Sequence, residues 1–341
     1  PKDLVLRKAF YESERLFFSF YDEDKREGYK NFVKVLDLKG KELGLVPYDP
    51  EKVKTGMYGK AIAAQMGSMY EGFANVEGKG YVCVYQSPAK TGGVNVQMIG
   101  LNGRLKWEKN FTAEKGDRSD IYMIGSTPNT LLFFRLDRGG VMKQDGEIFL
   151  MGIDTDNGKE RFTKSLEVGE IAYEPMLTKN IGDGKLKVVS SMTNSGSKFY
   201  KATPIGISIG ELNDMTGEIK RLKDFTFQQD LNTVLDMKSE TKSEEGYLKA
   251  HDLCFMPDGN MILVGEFFRR TVSAIGVASK FLSSNGRASS ATQATIGDMF
   301  LLRINKDFKA TALEKVDKDK ERYSLPSDVM SIGLIIKWLN Y

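Results

Sequence analysis

The chain has 341 residues, of which 41% are hydrophobic and 11% aromatic, the make-up of a packed globular protein rather than a disordered one. Its 49 Lys and Arg are interspersed with 46 Asp and Glu, so the clustered positive charge that nucleic acid requires is absent, and no run of ~18 apolar residues spans a membrane. One His and two widely separated Cys exclude the usual His and Cys zinc sites and bis-His haem, and no cofactor is expected.

The chain begins at Pro1 without Met and closes on an apolar strand-like run, Ser331 to Trp338, so it reads as a trimmed or processed segment of a longer precursor. Leu16 to Phe20 is a strongly apolar strand. Phe32 to Leu43 follows as strand, turn at Gly40, strand. The same piece recurs as Val96 to Trp107 with Gly103, as Ile148 to Glu160 with Gly158, and as Ile207 to Ile219 with Gly217. These turn glycines are spaced 63, 55 and 59 residues apart. Other apolar strands fall at Tyr81 to Tyr85, Leu131 to Phe134 and Leu186 to Val189, and strands covered on both faces read this way.

The last unit is the most sharply drawn. His251 to Met256 is followed by Pro257-Asp258-Gly259-Asn260 and then by Met261 to Glu266. Pro fixes φ and Gly accepts positive φ, so this is a hairpin. Asp298 to Asn305, a turn at Lys306-Asp307 and a strand from Phe308 to Val316 complete it. Four strands per unit at this spacing predict an all-β fold, a β-propeller of about five to six four-stranded antiparallel blades forming one domain over residues 1–341. The run at Ser331 to Trp338 is left over. It either completes a blade with the segment near Leu4 to Phe10 or marks missing residues.

The Pro-Asp-Gly-Asn hairpin, Gly265-Glu266 after it and the Leu302-Arg303-Ile304-Asn305 strand resemble the short propeller repeats of bacterial exported proteins. More loosely, the whole chain resembles an uncharacterised family of secreted or envelope propeller-like proteins from gut bacteria. The resemblance implies a fold and a periplasmic or secreted address. Its motifs are structural turns, and it carries no catalytic residues across.

In a propeller the longer connections open on one face, where binding groups are usually placed. Here they are Asp22 to Lys30, Ser87 to Gly93, Asp137 to Gly146, Thr193 to Thr203 and Thr271 to Gly297, with Pro47 to Gln65 and Gln228 to Ala250 between blades. Thr271 to Gly297 is either a lid or a plain surface loop. His251, at the opening of an innermost strand beside Asp252, is a weak candidate for acid/base catalysis, and a structural hydrogen-bonding role is the simpler reading. Arg135, Arg138, Arg269 and Arg270 stand at the ends of second strands. They suit an anionic ligand, or are solvated rim charges. Asp154-Thr155-Asp156-Asn157-Gly158 starts like a calcium loop but lacks the later acidic ligand, so it reads as a turn and no metal is assigned. Cys83 and Cys254 read as two buried small hydrophobes, with a disulfide or thiol site as the alternative. There is no Gly-rich phosphate loop and no nucleophile elbow. The function expected is a non-enzymatic binding or scaffold module for a glycan, peptide or protein partner. The alternative is a carbohydrate- or ester-active hydrolase with its site at the channel mouth.

Overall fold

A computed structural model describes residues 4–48, 72–86, 93–112, 118–138, 146–195, 204–235, 237–239, 242–243, 246–272, 292–319 and 321–325. Among them the fold is all-β, and the one helical element is a π-helical turn at Phe227–Leu231. The chain gathers into two compact units. The first comprises residues 1–165 with the hairpin tips at 180–185 and 213–218, and the second the remainder.

The first unit holds three four-stranded antiparallel sheets, each in simple chain order. They are β1 (Leu4–Glu12), β2 (Arg15–Asp22), β3 (Asn31–Asp37) and β4 (Glu42–Pro47); β5 (Gly72–Val76), β6 (Gly80–Gln86), β7 (Val94–Gly100) and β8 (Leu105–Phe111); and β9 (Arg118–Ser126), β10 (Thr130–Arg138), β11 (Gly146–Asp154) and β12 (Glu160–Ser165). First strands lie side by side. Asn75 Nδ2 of β5 donates to Tyr11 O of β1 at 2.9 Å, and Ser126 Oγ of β9 donates to Asn75 O at 3.0 Å. Second strands are sandwiched as their unbroken apolar runs require: Leu131, Leu132 and Phe133 have no exposed surface.

The second unit holds two five-stranded sheets and a short hairpin. The first sheet is β13 (Glu167–Val168), β14 (Ile171–Gly182), β15 (Lys185–Asn194), β16 (Gly206–Asn213) and β17 (Ile219–Thr226) in order. The hairpin is β18 (Met237–Ser239) with β19 (Lys242–Ser243). The last sheet runs β20 (Tyr247–Phe255), β21 (Met261–Val272), β22 (Thr292–Ile304), β23 (Ala310–Val316), with β24 (Glu321–Leu325) also on β22. One apolar cluster, including Ile207, Ile209, Leu253, Leu263, Phe267, Phe300 and Leu302, fills this unit.

The turn between third and fourth strands is capped in a similar way in four of the five sheets, while in the second sheet Gly100 opens it and Asn102 Oδ1 accepts from Arg104 N instead. In the four, its first residue caps it from the side chain: Asp37 Oδ1 accepts from Lys39 N and Lys41 N, Asp154 Oδ1 from Asp156 N and Asn157 N, Asn213 Oδ1 from Met215 N and Thr216 N, and Asn305 Oδ1 from Asp307 N and Lys309 N. Gly40, Gly103, Gly158 and Gly217 follow at φ between 69° and 81°, as their spacing predicts. In the last sheet Phe308 takes that place at φ 56°.

Within the first unit these glycines also stitch sheet to sheet. The third residue of each outer strand rests on the turn glycine of the next sheet: Gly44 on Gly103, Trp107 on Gly158, Phe162 on Gly217. A Cβ on Gly158 would stand 2.7 Å from Trp107 Cε3, and the indole Nε1 donates to Thr155 O of the same turn at 2.9 Å.

Several expectations change. Cys254 is exposed rather than buried, because it lies on the open face of the last sheet near the end of β20, whereas Cys83 is buried. The ends of the Thr271 to Gly297 segment continue β21 and β22 as paired strand, Val272 opposite Thr292, with β24 added at that end. A loop that begins at Thr271 is therefore too long a reading, since backbone pairing carries on into the segment; its middle lies outside the described residues. Ser331 to Trp338 lies outside them too.

Candidate functional site

The side chains sequence reasoning singled out fall at two places. In the first unit Arg135 lies on β10 two residues before Asp137, so both project from the same face of the strand. The Arg135 guanidinium bonds the Asp137 carboxylate at 2.6 Å and sits 5.8 Å from the Phe149 ring centre, while Ser119 Oγ donates to the same carboxylate. Arg138 ends β10, opposite Gly146. Arg269 and Arg270 follow one another on β21, opposite Thr295 and Ala294. Arg135 and Arg138 belong to the first unit, Arg269 and Arg270 to the second.

His251 lies in the second unit, in the middle of β20 rather than at its opening. Regular pairing of β20 with β21 breaks there: Ala250 faces Gly265 and Asp252 faces Val264, which leaves His251 as the extra residue of a bulge. A second irregularity lies just beyond, between Glu266 and Phe268 on β21, opposite Met299 and Ile296. Bulges bend a strand and re-aim its side chains. Here they bring His251 Nε2 to 2.9 Å from Glu266 Oε2.

Glu266 is the hub. Lys318, in the segment between β23 and β24, bonds its other oxygen, Oε1, and the Lys318 N–H reaches Asp298 Oδ1 at 3.4 Å. Lys249, buried, stands directly across β20 from Glu266, and the same row continues through Met299 to Val316. The carboxylate is only 11% exposed, His251 19% and Lys318 26%. Burial pushes His251 below its ordinary value; the Glu266 bond opposes this without overcoming it, and the charges of Lys249 and Lys318 add to it. The ring is therefore neutral at neutral pH.

Asp252 has a different partner from the one expected. Its carboxylate takes Lys179 Nζ of β14 at 2.7 Å and the Leu253 N–H at 2.7 Å, and the Lys179 bond holds it below the usual carboxylate range. A His–carboxylate pair exists, then, but it runs across strands to Glu266. No motif announces Glu266, Lys249 or Lys318, because cross-strand register and the bulge bring them together.

The Asp154 turn behaves as a turn. Asp154 caps it and pairs with Arg161, and Asp156 is bonded by Lys79 Nζ at 2.7 Å. Among the described residues no three His, Cys, Asp or Glu side chains gather as a metal cluster.

A family model described as a family of unknown function matches residues 1–341, the whole chain. The chain belongs to that family, DUF6770. Comparison with curated proteins gives no match. Among solved structures the chain is similar to a protein of unknown function from Bacteroides caccae, at 9% identity and TM-score 0.35, covering 93% of this chain and 83% of that one. It is similar to a DUF4221 member from Bacteroides vulgatus at 10% identity and TM-score 0.33, covering 92% and 87%. TolB from Acinetobacter baumannii matches at 12% and 0.33, covering 94% of this chain and 56% of TolB. At these TM-scores the likenesses assign the DUF6770 chain no activity.

Proposed function

We propose that this chain is a non-enzymatic binding module of the propeller type, a single domain whose sheets are its blades, exported to the periplasm or beyond. It takes a glycan, peptide or protein partner on the face bearing the long connections. The observation that carries this reading is that the acid, base and cationic groups are committed to one another: His251 and Lys318 to Glu266, Lys179 to Asp252, Arg135 to Asp137. Charges so paired organise a surface and hold a bulged strand in place. A catalytic acid or base has to be presented to a substrate in a productive protonation state.

The test is retardation of the full chain in native gels containing neutral or acidic polysaccharides, alongside peptide arrays. A specific partner whose affinity is unchanged in His251→Phe supports the reading. Tenfold weaker binding in that variant would move the contact onto the His251 cluster, against it. Cell fractionation of the native protein checks the compartment.

A second reading, a carbohydrate- or ester-active hydrolase, is favoured by the 2.9 Å His251 to Glu266 bond at a double irregularity, a place where active sites are often found. It requires turnover that His251→Ala and Glu266→Gln each abolish.

A further inference from the structure

Fully buried charges in folded proteins are paired or coordinate metal ions, and Asp214 departs from that rule. It stands second in the turn between β16 and β17, in the first unit, with no exposed surface. Its Oδ2 accepts from Thr127 Oγ1 at 2.6 Å and lies 3.5 Å from Asn129 Nδ2, both neutral groups. Its Oδ1 is buried without a hydrogen-bond partner among the described residues. Thr130, on the same hairpin as Thr127 and Asn129, is equally buried, and its Oγ1 also has none.

The bare oxygen packs against Gly184, whose carbonyl accepts the Asp214 N–H at 2.9 Å, and no side chain fits at that position: a Cβ there would stand 2.7 Å from Oδ1. The second turn position is Leu38, Leu101, Thr155 and Lys306 in the other sheets, so the carboxylate is peculiar to this one. A buried carboxylate oxygen with no partner among the described residues, a buried hydroxyl on the hairpin that its other oxygen bonds, and the Gly184 carbonyl on its own N–H make an oxygen-donor environment, which hard cations prefer.

We propose that Asp214 Oδ1 holds a small hard metal cation, Na⁺, K⁺ or Ca²⁺. Asp214 supplies the charge, and the Thr130 hydroxyl, backbone carbonyls and water supply neutral oxygens. The ion ties the β9–β10 hairpin to the hairpin tips at 180–185 and 213–218, and its removal loosens that junction.

The test uses the full chain, stripped with chelator and dialysed into tetramethylammonium chloride, then unfolded thermally with NaCl, KCl or CaCl₂ at constant ionic strength. One cation raises Tm by about 5 °C at roughly a hundredfold over its Kd. The shift vanishes in Asp214→Asn. In Gly184→Ala, which keeps the charge and puts a methyl against Oδ1, about tenfold more cation is needed. Should Asp214→Asn fail to fold, metal analysis decides between wild type and Gly184→Ala: one ion per chain in the first and a reduced content in the second. Equal Tm in every chloride, with a buried water meeting Oδ1 instead, overturns the proposal. So does an equal shift in all three proteins, which would put the ion elsewhere.

Discussion

Gly40 and Gly158 occupy the same turn position at φ 81° and 69°, yet they answer to different constraints. A Cβ on Gly40 meets nothing within 4 Å, whereas on Gly158 it meets Trp107 and Lys109 below 3 Å. Gly40→Ala should therefore cost only the left-handed penalty, about 1–2 kcal/mol. Gly158→Ala should exceed this by at least ~2 kcal/mol through overpacking and a displaced indole, as urea unfolding of the two variants would show. Equal costs would mean that the indole moves aside freely. His251 makes a prediction about pH. Its folded-state pKa lies below the ordinary 6.5, so the unfolded chain takes up the proton first. Stability is then fully present above about pH 6.5 and falls as pH drops below it, until the folded ring titrates as well. Denaturant unfolding at pH 7.5 and 5.5 should show a smaller loss in His251→Phe than in wild type; an equal loss would place the titration elsewhere.

At the scale of elements, the first unit is held by outer-strand residues resting on the next sheet's turn. Phe162 is the clearest case, since its ring fills the space left by both Gly152 and Gly217. Phe162→Ala should cost about 3–5 kcal/mol, and loss of under ~1 kcal/mol by calorimetry would show that the stitch is dispensable. The turn glycines were legible in the sequence because a positive φ selects glycine locally, and the Pro257 hairpin was legible for the same reason. The stitch was not, because Trp107 meets Gly158 from 51 residues away and no local preference records the contact. The last turn was harder to see because Phe308 replaces the glycine at φ 56°, and packing against the apolar cluster of its unit accompanies that backbone. The candidate site was half legible. His251 stood out as the one histidine, but its neighbour Asp252 pairs with Lys179, and Glu266 reaches it across a bulge whose position no residue type marks.

For the whole molecule, three antiparallel sheets of four strands and two of five are established, while their use is inferred from how the charges are spent within the fold. Leu4, Val5 and Leu6 on β1, and Phe255 and Val316 in the last sheet, are among the exposed large apolar residues. The central functional claim is that the His251, Glu266 and Lys318 cluster supports structure and not chemistry. It is tested most directly by incubating the full chain with a panel of polysaccharides and acyl esters and following product over time, with His251→Ala and Glu266→Gln in parallel. The account predicts no product above the buffer rate for any of the three proteins. Turnover by wild type that either substitution removes would contradict it.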